Sequence, residues 1–233
     1  MLPTLSVPEF KTKLPSTNKN IKYRPFLVKE EKILLIALED GEKETIIGAV
    51  KDLLKNCILT KGIDVDKLST FDVEWLFMQI RSKSVGEQIE MTLSHNSDNE
   101  CKAKTKYVFD IEDLSITGSV SDGKIELGDS IGIKLTYPTY SDEKIMERTA
   151  SNLFAMVKDN VEYIYDSENV YDEFTTEELD EWLDHLNKDQ FEKILAFFTD
   201  GPSLSHLIEW DCEECKQKDY ALVEGLKDFF MLV

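Results

Sequence analysis

The sequence of 233 residues has no apolar run of about 20 residues, the length that a helix needs to cross a bilayer. Its start, Met1-Leu2-Pro3, also lacks the charged and then apolar pattern of a secretory leader. The sequence therefore predicts a protein without a membrane span, located in the cytoplasm of the cell that makes it.

Positive charge is scarce, because 27 Lys and Arg residues stand against 46 Asp and Glu residues, for a net charge of -19. Affinity for nucleic acid depends on Lys and Arg that replace counterions on the phosphate backbone, so nucleic acid is not an expected partner. The stretch between Lys158 and Lys188 contains no Lys or Arg and many acidic residues. Such a stretch is typical of a solvated helix face, and it could also steer a partner.

Signatures of catalysis are missing as well. The sequence has no glycine-rich phosphate loop, no G-x-S-x-G elbow and no H-E-x-x-H motif. Its three histidines, His95, His185 and His206, follow no pattern that pairs them with a nucleophile. We therefore predict a protein that is not an enzyme, with no catalytic residue and no small-molecule substrate.

Apolar periodicity predicts an α+β fold in four segments. Residues 1–84 form an N-terminal β-hairpin and three helices, and residues 85–136 form central antiparallel strands. Residues 137–200 form an acidic helical region that includes a helix over 142–165. Residues 201–233 form a zinc-ribbon-like C-x-x-C hairpin and a short helix, which pack on the central strands.

The C-x-x-C pair is the one arrangement with metal chemistry. Cys212 and Cys215 lie in a predicted hairpin turn, where two thiolates can reach one tetrahedral zinc ion. Cys101 and His95 lie in the connection of a second predicted hairpin, and together the four residues predict a structural Cys3His zinc site. His206 is an alternative fourth ligand that precedes its strand.

Two other interpretations of the cysteines stay open. The thiols could be remnants of a former metal site whose hairpins are now held by packing. A redox pair is less favoured, because such a pair places its thiolate at a helix N-terminus and this region is strand-like and acidic. Cys57 lies on the apolar side of a predicted helix and is expected to be a core thiol.

The two cysteine-containing hairpins resemble each other. Residues 101–104 read CKAK and residues 215–218 read CKQK, and an apolar strand follows each of them. This internal similarity predicts two related hairpins that face each other.

Long runs of the sequence also carry a resemblance to a known family. They are residues 21–35 (IKYRPFLVKEEKILL), 59–68 (LTKGIDVDKL), 71–77 (FDVEWLF), 80–87 (IRSKSVGE), 190–194 (QFEKI) and 225–230 (GLKDFF). In this order they resemble the baseplate hub assembly proteins of T4-like contractile-tailed bacteriophages. Members of that family often have further cysteines where this chain has Ser94-His95-Asn96, and a glycine where it has Lys216.

The resemblance implies a structural or chaperone-like assembly role in the baseplate hub, with other hub proteins as partners. It also implies a location in the host cytoplasm during assembly and in the tail baseplate of the virion. The alternative function is a zinc-ribbon regulatory module that binds a host protein or nucleic acid. A nucleic-acid module should carry a basic stripe, whereas this hairpin carries Asp211, Glu213 and Glu214.

Overall fold

A computed structural model describes residues 5–95, 101–128, 130–140 and 150–225 of the chain. These residues form two compact units. The first unit consists of the described parts of 1–65, 71–117 and 203–233, and the second of 66–70 and the described parts of 118–202.

The elements alternate between helices and antiparallel strands, which confirms the mixed α+β class. In chain order they are β1 (Phe10–Lys13), β2 (Asn20–Tyr23), α1 (Val28–Asp40), α2 (Lys43–Cys57), α3 (Thr70–Ser84), β3 (Gln88–Ser94), β4 (Lys104–Asp110), β5 (Ser115–Thr117), β6 (Lys124–Gly128), β7 (Ile131–Leu135), α4 (Ala150–Asp159), β8 (Val161–Tyr165), β9 (Val170–Tyr171), α5 (Thr176–Asp184), α6 (Lys188–Thr199), β10 (Ser203–Asp211) and β11 (Lys218–Glu224).

The first unit opens with the predicted hairpin and helices. Strands β1 and β2 pair in the register Phe10↔Tyr23, and Asn18 takes the left-handed conformation in the turn between them. In α2 the buried residues recur at helical spacing, so that Val50, Leu54 and Cys57 lie on the inner face. These elements confirm the predicted N-terminal architecture, and Cys57 is buried as expected.

Helix α1 begins where the buried carboxylate of Glu30 accepts one backbone N–H, that of Leu27. The Glu30 side chain accepts a hydrogen bond from the Leu27 N–H at 2.8 Å and one from the Arg24 guanidinium at 2.9 Å. The helix ends at Gly41, whose φ of 75° is readily adopted by glycine and whose N–H donates to the Ala37 carbonyl.

Two long hairpins complete the first unit. Strands β3 and β4 pair from Gln88↔Asp110 to Ser94↔Lys104, and β10 and β11 pair from Ser205↔Glu224 to Asp211↔Lys218. Strand β5 extends the second hairpin along the other edge of β10. The two hairpins touch through the rings of Phe109 and His206, whose centroids lie 4.9 Å apart. The two hairpins are therefore in contact, and their face-to-face arrangement stays a prediction.

The second unit is built on a four-stranded antiparallel sheet in the order β6-β7-β8-β9. Its core combines Ile133 and Leu135 of β7, Val157 of α4, Leu183 of α5 and Ile194 of α6. Helices α5 and α6 each start with a capping box, in which Thr175 and Asn187 accept a backbone N–H.

The helix predicted over 142–165 is wrong in its last part. Residues 141–149 lie outside the described part of the chain, and α4 ends at Asp159. The Asn160 N–H bonds the Val157 carbonyl, and Val161–Tyr165 then forms β8, which pairs with β7. Val161 and Ile164 are spaced as on a helix, but the ladder with β7 determines the local structure.

The division into four sequence segments stays a prediction, as does the zinc-ribbon-like character of the C-terminal hairpin. The predicted C-terminal short helix lies in 226–233, outside the described residues. Within the described ranges, every helix is too short or too polar to cross a bilayer.

Candidate metal centre

The ends of the two long hairpins bring four side chains together. His95 follows β3, Cys101 precedes β4, and Cys212 and Cys215 lie in the turn between β10 and β11. Their potential ligand atoms all lie within 4.8 Å of one another. The structure thus assembles the whole set that the sequence predicted, with each hairpin supplying two members.

The separations within this cluster suit a tetrahedral zinc ion. Zn–S and Zn–N bonds of about 2.3 Å and 2.0 Å place two sulfurs about 3.8 Å apart, and a nitrogen about 3.5 Å from a sulfur. The Cys101 and Cys212 Sγ atoms are 3.9 Å apart, and the His95 Nε2 atom is 3.2 Å from the Cys215 Sγ atom. Small movements of the four side chains would therefore bring all four ligand atoms to bonding distance from one zinc ion.

A tight turn sets the positions of Cys212 and Cys215. The Cys212 N–H donates to the Gln217 carbonyl, and the Cys212 carbonyl accepts from the Lys216 N–H, both at 3.0 Å. Two residues, Lys216 and Gln217, thus lie opposite the single residue Cys212, and this arrangement is a β-bulge. Lys216 has a φ of 59°, in the left-handed region that favours glycine.

His95 is oriented by a carboxylate that the sequence analysis missed. Its Nδ1 atom lies 2.7 Å from an Asp219 oxygen, its ring is 4.9 Å from that of Trp210, and its side chain is only 1% exposed. A bond from Nδ1–H to Asp219 leaves Nε2 as the free ligand atom, the arrangement usual for histidines that bind zinc. His95 and Asp219 are 124 residues apart, and no sequence motif links residues at such a separation.

The surroundings of the thiols favour a thiolate at Cys212. The backbone N–H of Cys215 lowers the pKa of Cys212 to about 6, and the N–H of Glu214 and the His95 side chain act in the same direction. A backbone hydrogen bond from Gln217 lowers the pKa of Cys215, but burial and the neighbouring thiols outweigh it, so this pKa is raised. The hydrogen bond to Asp219 raises the pKa of His95.

These donors define what the cluster can do chemically. Three sulfurs and one imidazole nitrogen form a closed set, which fits a structural zinc ion and leaves no position for an activated water molecule. His206, the alternative ligand, stacks on Phe109 and is not one of the four clustered residues. The C-x-x-C pair lies in a turn between strands, which disfavours a redox role.

Comparison with known proteins gives matches over nearly the whole chain. A family model described as T4 bacteriophage base plate protein matches residues 7–231. The chain is also 26% identical, over 238 aligned residues, to the baseplate hub assembly protein gp26 of Enterobacteria phage T4. That alignment covers 97% of this chain and 99% of the T4 protein. No solved structure matches the chain.

Proposed function

The chain belongs to the family of T4 bacteriophage base plate proteins, and from this membership we propose that it is a structural or assembly protein of the baseplate hub in a contractile phage tail. The observation that carries the proposal is the extent of the match, because the alignment with the T4 hub assembly protein spans both chains almost completely. A shared module would match only part of one of them.

In this role the protein acts through its surfaces rather than by catalysis, in a chaperone-like manner, and its partners are other hub proteins. Helix α1 supports this proposal, since it exposes Val28, Ile33, Leu35 and Ile36, with exposed fractions between 45% and 66%. Clustered apolar side chains on a soluble surface mark contact sites between proteins. Assembly then takes place in the host cytoplasm, and the product is the tail baseplate.

Affinity recovery from phage-infected cells tests the proposal. A tagged copy of the chain should recover baseplate components, identified by mass spectrometry, and Ile36→Glu should reduce that recovery. Val170→Glu is the matched control, because Val170 is 61% exposed and lies in the second unit. Recovery of a polymerase or of nucleic acid in place of tail components would contradict the proposal.

We also infer that His95, Cys101, Cys212 and Cys215 hold a structural zinc ion. Its role is to fasten the two long hairpins together, so its loss should destabilise the first unit rather than abolish a reaction. Elemental analysis of protein purified without chelator should find about one zinc per chain. A content below about a tenth of an equivalent would leave the thiols as remnants of a former site.

The alternative of a zinc-ribbon module that binds nucleic acid has weaker support. The metal cluster favours it, but the exposed residues around the turn include Asp211, Glu213 and Glu214. Their negative charge would repel a phosphate backbone.

A further inference from the structure

Strand β11 forms one edge of its sheet, in which the order is β11-β10-β5. Among the residues that the structure describes, no strand pairs with its outer side. The outward face of β11 presents Lys218, Tyr220, Leu222 and Glu224 in alternate positions, and Tyr220 and Leu222 are 56% and 58% exposed. A long edge strand with an apolar centre is a template for pairing with another strand.

The backbone of β11 is also arranged for such pairing. In an antiparallel ladder, hydrogen-bonded and non-hydrogen-bonded residue pairs alternate. The hydrogen bond from the Cys212 N–H to the Gln217 carbonyl shows which pairs of β10 and β11 are hydrogen-bonded. Odd-numbered residues of β11 therefore direct their backbone groups to β10, and even-numbered residues direct theirs to the free edge. Leu222 thus offers both backbone and side chain to an incoming strand. The Tyr220 N–H donates to the Asp219 Oδ1 at 2.8 Å in the single chain, so an incoming strand would replace this bond.

We propose that β11 pairs with β11 of a second copy of this chain, antiparallel and centred on Ala221. In this register Tyr220 of one copy lies opposite Leu222 of the other, and Lys218 lies opposite Glu224. The strand is thus self-complementary, with a basic residue at one end, an acidic residue at the other and apolar residues between them. Cross-strand pairs of both kinds stabilise antiparallel sheets.

The other long strands of the first unit lack an apolar centre on the exposed face. Strand β3 presents only polar side chains outward, namely Gln88, Glu90, Thr92 and Ser94. Strand β4, the counterpart of β11 in the second hairpin, would place Lys106 opposite Val108 if it were paired with itself. The apolar centre is therefore specific to β11 among these edges.

Pairing would also extend an exposed apolar surface. Leu207 of β10 lies directly opposite Leu222 and is 63% exposed. In a two-fold symmetric pair, the Leu207, Leu222 and Tyr220 side chains of both copies form one continuous stripe on the outer face of a six-stranded sheet. An isologous contact of this kind closes on itself and produces a dimer rather than a fibre.

Sedimentation equilibrium of the full-length protein as purified without chelator, over micromolar concentrations, tests the proposal. We expect a monomer–dimer equilibrium for the unchanged chain. Lys218→Glu places two carboxylates opposite each other, and Glu224→Lys places two ammonium groups opposite each other. Because each dimer contains two such pairs, either change should weaken association about tenfold or more. The double variant restores opposite charges and should regain the original dissociation constant.

Two control variants isolate the contact between copies. Lys218 also bridges Glu209 of its own chain at 2.9 Å, and Glu209→Gln removes this bridge without changing the pairs between copies. Lys104→Glu makes the equivalent charge change on β4. Both should dimerise as the unchanged chain does. A chain that stays monomeric at all concentrations, or a double variant as weak as the single ones, would overturn the proposal.

Discussion

His95 and Asp219 form a residue pair that orients one member of the four-residue cluster. The carboxylate holds the imidazole ring at 2.7 Å, and the ring also contacts Trp210. A ligand held in its binding orientation loses less freedom when the metal binds, so the pair prepares Nε2 for coordination. Asp219 lies in β11 and His95 follows β3, so this contact joins the two long hairpins even without a metal ion.

Replacing Asp219 tests this coupling directly. We expect Asp219→Asn to weaken zinc affinity about 10- to 100-fold, because the amide cannot match the carboxylate as an acceptor for Nδ1–H. Competition with a chromophoric chelator measures this affinity. Asp211→Asn is the matched control, since Asp211 is exposed at the end of β10, and it should leave the affinity unchanged. Equal effects of the two variants would show that general charge, rather than orientation, matters.

The buried carboxylate of Glu30 predicts a pH-dependent contribution to stability. Burial raises its pKa, but the hydrogen bonds from Arg24 and from the Leu27 N–H outweigh burial and leave the pKa lowered. The stabilisation is therefore fully present above the pKa of a glutamate in the unfolded chain. It is lost as the pH falls through the lowered pKa of Glu30 in the folded chain. Glu30→Gln should cost about 2–4 kcal/mol near neutral pH, because it leaves Arg24 largely buried without its counter-ion.

Urea unfolding at several pH values measures this contribution. The difference between the unchanged chain and Glu30→Gln should shrink as the pH approaches 3 (roughly one unit below an ordinary glutamate pKa). Glu31→Gln changes the neighbouring exposed residue and should have little effect at any pH. A constant difference across the whole range would contradict the assignment of the stabilisation to the ionised carboxylate.

Among single elements, the bulge after Cys215 places an unfavourable backbone conformation next to the candidate metal cluster. Lys216 occupies the left-handed region there, which disfavours residues with a Cβ atom by roughly 1 kcal/mol or more. The turn that presents Cys212 and Cys215 therefore forms at a local cost.

Lys216→Gly should stabilise the turn. The gain is smaller than the full conformational cost, because glycine also increases the entropy of the unfolded chain, and we expect about 0.5 kcal/mol. Urea unfolding followed by tryptophan fluorescence measures this gain, and Trp210, which contacts His95, is one of the three tryptophans that contribute to the signal. Gln217→Gly should instead destabilise by about 0.5–1 kcal/mol, since Gln217 has no positive φ. A loss of stability in Lys216→Gly would contradict the prediction.

Elements with a clear local pattern could be predicted from the sequence, and those fixed by distant pairing could not. The bounds of α2 and of β2 follow directly from apolar spacing and turn residues. Strand β5 has only three residues and exists because it pairs with β10, far along the chain. Strand β8 has helix-like apolar spacing and depends on β7 in the same way. The four clustered side chains could be picked out as candidates because cysteine and histidine are rare here, whereas Asp219 is one of many acidic residues.

At the scale of the whole molecule, charge is divided unequally between the two compact units. Most of the net charge of -19 lies in the second unit, which contains the acidic segment 159–184. Lys158 bridges Asp180 at 2.8 Å at the edge of this segment, but no basic residue lies within it. Repulsion among these carboxylates opposes the compact state of this unit.

Added salt should therefore stabilise the second unit more than the first. Raising the ionic strength from about 0.01 M to about 0.1 M shortens the Debye length from about 30 Å to about 10 Å, which screens repulsion between exposed carboxylates. We expect a gain of about 1 kcal/mol in the second unit, or about 4–8 °C in its Tm. Hydrogen exchange with mass spectrometry measures both units in one sample, so peptides from the first unit are the internal control.

Neutralising the exposed residues Asp172 and Glu173, with Asp172→Asn and Glu173→Gln, should reduce the salt dependence. Equal gains in the two units would show that the acidic segment is not the source of the repulsion.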